Sequence, residues 1–325
     1  MLRVTLNEQE IRRIINLPGK GERLVNGISP PGANEDRSLY FINQKVTTEI
    51  RDSFRAREGC IVVVLTGSSM KDSLGSCVVL EADDPRAELA RVLRFVRDEH
   101  RVSPLVTNRS IASTANISPL AAIDGAVEIA DGVVIEPFCM VGPDVKIARG
   151  SILRSGARVY PRVAIGENSV IGSNTVIGQQ GFGFVRDDLG NKVRIPHLAG
   201  VVVGSNVEIG ALVSVPSGTT VPTIIEDNVK IDELVHVAHN ARVAKGASLI
   251  AGVVVGGHAV IDEDAWVGMN SSIRQGRRVG SHALVGMDAS IQQDLADNSV
   301  ARAPRPDVQI RKDDDHTAIG FTETR

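Results

Sequence analysis

The sequence predicts a mainly β fold, in which a left-handed parallel β-helix follows a small α/β domain. An aliphatic residue recurs at every sixth position along most of the chain. A period of six is neither the 3.6 of an α-helix nor the 2 of an ordinary strand. It is typical of hexapeptide-repeat solenoids, in which each repeat supplies one short strand and a turn, and three repeats close a triangular coil of about eighteen residues. The recurring positions are Ile111, Ile117, Ile123, Ile129, Ile135, Val141, Ile147, Leu153, Val159, Ile165, Ile171 and Ile177; then Val203, Ile209, Val215 and Val221; and, after a shift of four residues, Ile225, Ile231, Val237, Val243, Leu249, Val255, Ile261, Val267, Ile273, Val279, Val285 and Ile291.

The residues between the aliphatic positions support the same fold. Gly, Asn, Asp and Ser follow the aliphatic residue repeatedly, as in IGENSVIGSNTVIG (165–178). Tight corners require positive φ angles or side chains that hydrogen-bond to their own backbone, and these residue types supply both. Only 3% of the residues are aromatic, which is consistent with a narrow core filled by stacked Val and Ile.

The period divides the chain into regions. Residues 1–105 lack it and contain a helix signal in which Asp84 can cap the N-terminus and Pro85 suits the first turn. We predict an α/β domain there, a β-helix domain over 106–296, and a polar tail over 297–325. The period is interrupted at 178–200, where two glycines flank Phe182 and a DDLGN turn follows, so we expect an inserted hairpin loop.

Composition and charge exclude several classes of protein. The net charge of −3 argues against a general nucleic-acid-binding protein. Three cysteines without a CxxC motif predict reduced thiols in a cytoplasmic protein. We expect no signal peptide and no transmembrane segment, because the first residues lack a basic-then-apolar run and no apolar stretch reaches about 20 residues.

The densest group of chemically capable side chains is IDELVHVAHNARV (231–243). His239 follows the inward-facing Val237 by two positions, which places it near a corner of the coil and facing outward. A coil of about eighteen residues stacks Gly257 over His239. An imidazole beneath an exposed glycine amide can act as a general base while the N–H receives an oxyanion. The alternative is that His239 is an ordinary polar residue whose hydrogen bonds are satisfied.

The histidines do not predict a metal site. His236 and His239 are three residues apart and His258 follows nineteen residues later. This spacing does not match that of the zinc-binding carbonic anhydrases that use the same solenoid. No phosphate-binding loop, dinucleotide fingerprint or serine-triad motif is present. We therefore expect neither a metal nor a cofactor.

Several segments resemble one enzyme family, the UDP-3-O-(3-hydroxyacyl)glucosamine N-acyltransferases of lipid A biosynthesis. IDELVHVAHNARV is similar to the family's catalytic histidine segment, and VVVGGHAVI (253–261) to its oxyanion segment. Residues 181–211 are similar to its insertion and the return to the coil. SLYFINQK (38–45) resembles its uridine-binding strand.

The resemblance implies a homotrimer that transfers a 3-hydroxyacyl chain from acyl carrier protein to the amino group of a UDP-linked acylglucosamine. It also implies that His239 is the general base and that the Gly257 N–H binds the oxyanion. The further residues expected to bind substrate are Tyr40, Asn43, Phe182, Phe184, Glu233 and Asn240.

The chain departs from the family pattern at several positions. Val46 stands where the family has a tyrosine that stacks on uracil, Glu233 replaces an asparagine and Gly276 a histidine, and the stretch Ser214–Gly218 also differs. Two alternatives therefore remain open. One is an acyl-CoA- or acetyl-CoA-dependent N-acyltransferase of another nucleotide amino sugar, and the other is a non-catalytic trimer that binds a sugar nucleotide. The sequence fixes neither the acyl chain length nor the donor nor the sugar.

Overall fold

A computed structural model describes residues 1–43, 48–68 and 76–304. The chain begins with a five-stranded sheet in the order β1-β2-β3-β4-β5, in which β1 and β2 are antiparallel and the other neighbours are parallel. Three helices accompany this sheet. The strands are β1 (Leu2–Asn7), β2 (Leu24–Ser29), β3 (Ser38–Ile42), β4 (Ile61–Leu65) and β5 (Val78–Ala82), and the helices are α1 (Glu8–Ile14), α2 (Thr48–Arg55) and α3 (Pro85–Asp98).

Local sequence signals explain where the helices begin. The Asn7 side chain accepts a hydrogen bond from Glu10 N (2.8 Å), and the Glu10 carboxylate accepts one from Asn7 N (3.0 Å), so α1 starts with a capping box. The Asp84 carboxylate accepts hydrogen bonds from Arg86 N (2.9 Å) and Ala87 N (3.0 Å), with Pro85 in the first turn of α3. The helix cap predicted at Asp84 is therefore confirmed.

From Ser110 to Ala301 the described residues form a left-handed parallel β-helix with three faces of ten, nine and nine short strands. Residues 305–325 of the predicted polar tail lie outside the described residues. The predicted fold class is confirmed. Face one contains Asn116–Ile117, Val134–Ile135, Ile152–Leu153, Val170–Ile171, Glu208–Ile209, Lys230–Ile231, Ser248–Leu249, Trp266–Val267, Leu284–Val285 and Val300–Ala301. Face two contains Ala122–Ile123, Met140–Val141, Arg158–Val159, Val176–Ile177, Ser214–Val215, His236–Val237, Val254–Val255, Ser272–Ile273 and Ser290–Ile291. Face three contains Ser110–Ile111, Val127–Ile129, Val145–Ile147, Val163–Ile165, Val201–Val203, Thr223–Ile225, Arg242–Val243, Val260–Ile261 and Arg278–Val279.

The six-residue period forms the core of the β-helix. The recurring aliphatic side chains are almost all buried, and they stack from coil to coil in one continuous cluster. The first coil is one exception, because it has a neighbour on one side only and Ile111 remains 37% exposed. Val221 is the other: it lies in a loop between the strands Ser214–Val215 and Thr223–Ile225, is half-buried and is not part of the cluster, so the prediction of a core position there was wrong. Each coil thus buries the aliphatic side chains of the next, as expected for a solenoid.

Two insertions leave the β-helix at the same corner, between face two and face three. Ile165 pairs with Val203, so twenty residues beyond a normal coil are accommodated there. Val203 then pairs with Ile225, which accounts for the four-residue shift in the period. The longer insertion contains an antiparallel hairpin of Phe184–Arg186 and Lys192–Arg194. The shorter insertion contains residues 219–221. Both insertions stand beside the corner that carries His239.

The long insertion also connects the N-terminal sheet to the β-helix. Ile195, which follows the hairpin, is 5% exposed and packs into the core of the N-terminal domain with Phe41 and Leu93. At the hairpin tip, Asp188 forms an ion pair with Arg91 of α3 at 2.9 Å. These contacts hold the N-terminal domain against the corner of the β-helix that carries the candidate site.

Candidate active site

His239 lies at the corner between face two and face three, and Asn240 fixes the orientation of its ring. The distance from His239 Nδ1 to Asn240 Oδ1 is 3.1 Å. Asn240 Oδ1 also accepts hydrogen bonds from Thr219 N (3.2 Å) and Thr219 Oγ1 (2.5 Å), while Asn240 Nδ2 donates to the Val221 carbonyl (2.8 Å). These bonds identify Oδ1 as the acceptor, so the neutral imidazole carries its proton on Nδ1. His239 Nε2 is therefore free to accept a proton.

Gly257 lies directly over His239 in the next coil, as the six-residue period predicts. The backbone N–H of His258 donates to the His239 carbonyl at 3.1 Å, which sets the stacking. A Cβ added at Gly257 would lie 3.0 Å from both Cε1 and Nε2 of His239, so a side chain there would crowd the ring. Within the described part of the chain, the Gly257 N–H takes part in no hydrogen bond. The corner thus combines a basic nitrogen with an available amide donor.

His239 lines two cavities. The first, of about 370 Å³, lies between the N-terminal domain and the corner and is lined by Phe41, Asn43 and Arg86 together with His239. The second, of about 360 Å³, is lined by Gly257 and His239. Each of two reacting molecules could therefore occupy a cavity that includes His239.

A second histidine, His197, lies against His239. The two ring centroids are 4.7 Å apart with an interplanar angle of 64°. His197 is 3% exposed and comes from the arm of the long insertion that returns to the coil. Gln180 holds this arm through two hydrogen bonds, from His197 N to Oε1 (2.9 Å) and from Nε2 to the His197 carbonyl (3.0 Å). The sequence interpretation missed His197, because it lies in an aperiodic segment where no register predicts its direction.

Gly181 permits the two histidines to approach each other. A Cβ at this position would lie 2.6 Å from the His197 Cδ2 and Nε2 atoms and 3.0 Å from His239 Cβ. No side chain fits at such distances without movement of both histidines. The GFG sequence at 181–183 therefore serves close packing around the site, and Phe182 between the two glycines is 82% exposed.

Burial keeps the neighbouring histidines neutral. The pKa of His197 is lowered to about 4, first by burial and then by the nearby His239. The pKa of His258 is lowered by burial, then by His239 and by Arg86. His236 shows the same direction, with burial as the larger cause. At neutral pH the imidazoles around His239 therefore add no positive charge to oppose its protonation.

The structure does not bring Tyr40 to the cavities. Its side chain is fully buried and packs edge-on against Phe54, with ring centroids 4.8 Å apart. Its hydroxyl donates to the Glu35 carbonyl at 2.6 Å. Successive side chains of a strand point to opposite faces, so the aromatic residue that faces the first cavity is Phe41. In this structure Tyr40 is a core residue, and the predicted substrate contact does not follow from its position.

Three other predicted residues, Asn43, Phe182 and Asn240, line a cavity together with His239. Asn43 and Phe182 line the first cavity, and Phe182 lines the second as well. Phe184 contacts Phe182 edge-on with centroids 5.0 Å apart, and the Arg194 guanidinium lies 4.7 Å above the Phe184 ring. Asn240 lines the first cavity, but its side-chain atoms are engaged within the protein, as described above.

The positions that depart from the family pattern have different surroundings. Glu233 is exposed and lines a separate cavity of about 680 Å³ on face one, together with Trp266. Gly276 donates through its N–H to the Gly257 carbonyl at 2.9 Å. Ser217, within the stretch Ser214–Gly218, donates to the His197 carbonyl at 3.2 Å and accepts from Gly200 N at 2.8 Å. Val46 lies outside the described residues.

Among residues 1–43, 48–68 and 76–304, no three His, Cys, Asp or Glu side chains are arranged to hold a metal ion. Within the same ranges, no helix is both long enough and apolar enough to cross a bilayer.

Comparison with known proteins agrees with the repeat architecture. A family model described as bacterial transferase hexapeptide (six repeats) matches residues 126–161. The chain is 53% identical over 85 residues to a UDP-3-O-acylglucosamine N-acyltransferase of Saccharophagus degradans, covering 26% of this chain and 24% of the relative. It is 43% identical over 96 residues to UDP-3-O-acylglucosamine N-acyltransferase 2 of Legionella pneumophila, covering 28% of each. The matches thus span about a quarter of the length of these curated relatives.

Solved structures of similar proteins include a UDP-N-acetylglucosamine acyltransferase from Campylobacter jejuni. It is 28% identical, with a TM-score of 0.46, and the match covers 58% of this chain and 72% of that chain.

The repeats and the three-faced coil define the chain as a hexapeptide-repeat protein with a left-handed β-helix. Within that class, the predicted resemblance to the UDP-3-O-acylglucosamine N-acyltransferases is confirmed.

Proposed function

We propose that this protein is an N-acyltransferase that moves a (3-hydroxy)acyl chain from acyl carrier protein to the amino group of a UDP-linked acylglucosamine, as in lipid A biosynthesis. The observation that carries the proposal is the orientation of His239. Its Nδ1 is bonded to Asn240 Oδ1, so the basic Nε2 is available beside Gly257, and the residue lines two cavities. The names of the relatives supply the substrate class.

The reaction follows from this geometry. His239 Nε2 accepts a proton from the amine as the amine nitrogen attacks the thioester carbonyl carbon. The carbonyl oxygen becomes an oxyanion and takes a hydrogen bond from the Gly257 N–H. When the tetrahedral intermediate collapses, the C–S bond breaks and the thiolate takes the proton from the imidazolium. The Asn240 Oδ1 acceptor stabilises the imidazolium through the proton on Nδ1.

The two cavities suit the two substrates. The first contains residues of the N-terminal domain, Phe41 and Asn43, which offer an apolar ring and an amide to a nucleotide base. It also contains Arg86, whose guanidinium makes no ion pair among the described residues and could meet a diphosphate. The second cavity, beside Gly257, would receive the thioester.

We propose further that the active protein is a cytoplasmic homotrimer. Exposed apolar side chains support an interface between copies. Two pairs lie along the corner between face one and face two, Leu120 with Phe138 and Leu212 with Leu234, and each of these side chains is 56–68% exposed. Two coils with Gly156 and Asn174 at this corner separate the pairs. Phe138, Leu212 and Leu234 adopt positive φ, which bulky residues rarely do. Bulky apolar side chains held exposed in this way favour a contact surface over a solvated corner.

Mass spectrometry of purified protein tests the function. UDP-3-O-acylglucosamine is offered with 3-hydroxyacyl carrier protein, with acyl-CoA or with acetyl-CoA. Hydroxyacyl transfer from the carrier protein supports the proposal. Transfer only from a CoA thioester, or only to another UDP-amino sugar, would replace it with a CoA-dependent or differently specific N-acyltransferase. No transfer with any pair would leave a non-catalytic protein that binds a sugar nucleotide.

A further inference from the structure

The His197 imidazole is buried and makes no hydrogen bond to a side chain of the described residues. Its Nδ1 atom is inaccessible and has no hydrogen-bond partner in those ranges, although the adjacent Ile195 backbone acts to raise the pKa of the ring against burial. Its Nε2 atom is not bonded to any residue of the described ranges either, and His197 is one of the residues that line the first cavity. Since most buried polar atoms in proteins are hydrogen-bonded, each exception calls for an explanation.

Packing alone does not explain a histidine at this position. An unsatisfied buried polar atom destabilises a protein by roughly 1–3 kcal/mol, whereas a phenylalanine ring would fill a similar space without that cost. The protein nevertheless fixes this imidazole rigidly. Gln180 and Ser217 hold its backbone, and glycine at 181 leaves room for the Nε2 edge of the ring. Such support is what a binding group requires.

The neighbours of His197 indicate what it binds. Its ring centroid lies 4.7 Å from that of the proposed base, His239, so one small group in the first cavity can reach both rings. Arg86 and Asn43 line the same cavity, which places the sugar nucleotide on this side. The group that must meet His239 there is the amine of the sugar.

We propose that His197 orients the nucleophilic amine by accepting a hydrogen bond from its second N–H at Nε2. This inference rests on the proposed N-acyltransferase function and names a substrate-binding residue for it. A primary amine presents two hydrogens to the enzyme. His239 removes one of them, and His197 holds the other, so that the nitrogen lone pair points at the thioester carbonyl carbon.

The two imidazoles divide these roles because their surroundings differ. Burial lowers the pKa of His197 to about 4, so it stays neutral and acts as an acceptor rather than as a base. His239 is paired with Asn240 Oδ1, which stabilises its protonated form. A hydroxyl nucleophile carries a single hydrogen and would use only His239. The pair therefore favours transfer to nitrogen over transfer to oxygen.

The test compares two variants in the transfer assay with UDP-3-O-acylglucosamine. His197→Phe keeps a planar ring but has no acceptor, and His197→Gln places a carbonyl oxygen close to the position of Nε2. We expect H197F to lower kcat/KM about 10–100-fold, with a melting temperature no lower than that of the unmodified protein. We expect H197Q to recover most of the activity.

Three results would overturn the inference. They are H197F with kcat/KM within twofold of the unmodified protein, equal losses in both variants, and activity that tracks the fraction of folded protein. If H197F does not fold, H197Q still tests the inference. A decrease in kcat/KM of more than tenfold in folded H197Q would contradict the role of an acceptor at this position. If the unmodified protein transfers no acyl group, the result contradicts the proposed function itself rather than the role of His197.

Discussion

Asn240 provides a direct way to perturb the proposed base without touching it. Asn240→Ala removes the Oδ1 acceptor of the His239 Nδ1 proton, together with the side-chain bonds to Thr219 and Val221. A hydrogen bond to a charged group contributes roughly 1.5–3 kcal/mol. If this bond stabilises the imidazolium in the transition state, kcat should fall about 10–150-fold.

The same substitution should also destabilise the fold. Asn240 has a φ of 60°, a conformation that costs most non-glycine residues about 1–2 kcal/mol but that Asn and Asp tolerate better. With the lost hydrogen bonds, we expect the free energy of unfolding to fall by about 3 kcal/mol. Activity must therefore be measured well below the melting temperature, with folding verified by circular dichroism.

Asn240→Asp is the matched control. It retains the acceptor oxygen and the tolerance for positive φ, and its carboxylate favours a protonated imidazole. We expect kcat at high pH to stay within about fivefold of the unmodified protein, with half-maximal activity moved to higher pH. The assay is the pH dependence of kcat between pH 5 and 9. Folded Asn240→Ala protein with kcat within twofold of the unmodified protein across this range would refute the argument.

Three further predictions follow from packing and titration. Gly181→Ala should lower kcat/KM at least tenfold, because its Cβ would lie 2.6 Å from His197. Gly32→Ala is the control, because a Cβ there has no neighbour within 4 Å, and it should leave kcat/KM unchanged. Leu249→Ala should lower the free energy of unfolding in denaturant by about 2–5 kcal/mol, since Leu249 is fully buried in the β-helix core; a change below 1 kcal/mol would contradict the stacked core. The pKa of His197 in the folded protein is about 4, so as the pH falls the unfolded chain takes up this proton before the folded protein does. The free energy of unfolding should therefore decrease between about pH 6.5 and pH 4, by up to about 3 kcal/mol. His197→Phe should lose that part of the pH dependence, and an unchanged stability–pH curve would contradict it.

The sequence predicted the β-helix well because its signal is local and repeated. Each aliphatic position is buried by the same position one coil away, so the period alone sets the register. That register also placed Gly257 over His239. The prediction needed no knowledge of distant contacts, because stacking in a solenoid relates positions that are a fixed number of residues apart.

The sequence was less informative where that periodicity ends. In β3, SLYFI is buried throughout, so no alternation indicated that Phe41 rather than Tyr40 faces the cavity. His197 lies in the long insertion, and its place beside His239 depends on Ile195 packing into the N-terminal domain and on Gln180 holding the backbone. Contacts between separate parts of the chain leave no local pattern. The orienting role of Asn240 also depends on two contacts that the sequence does not reveal. Thr219 donates hydrogen bonds to Asn240 Oδ1, and the Val221 carbonyl accepts one from Asn240 Nδ2.

His239→Ala tests the central claim most directly. Single-turnover transfer to UDP-3-O-acylglucosamine is measured by mass spectrometry for this variant and for His282→Ala. His282 is an exposed histidine that lines neither cavity at the site, and its Nδ1 lies 3.9 Å from Asp264 Oδ2. Loss of a general base should slow transfer by roughly 10²–10⁴-fold, while His282→Ala should match the unmodified protein. Transfer by folded His239→Ala at more than a tenth of the unmodified rate would contradict the assignment of His239 as the base.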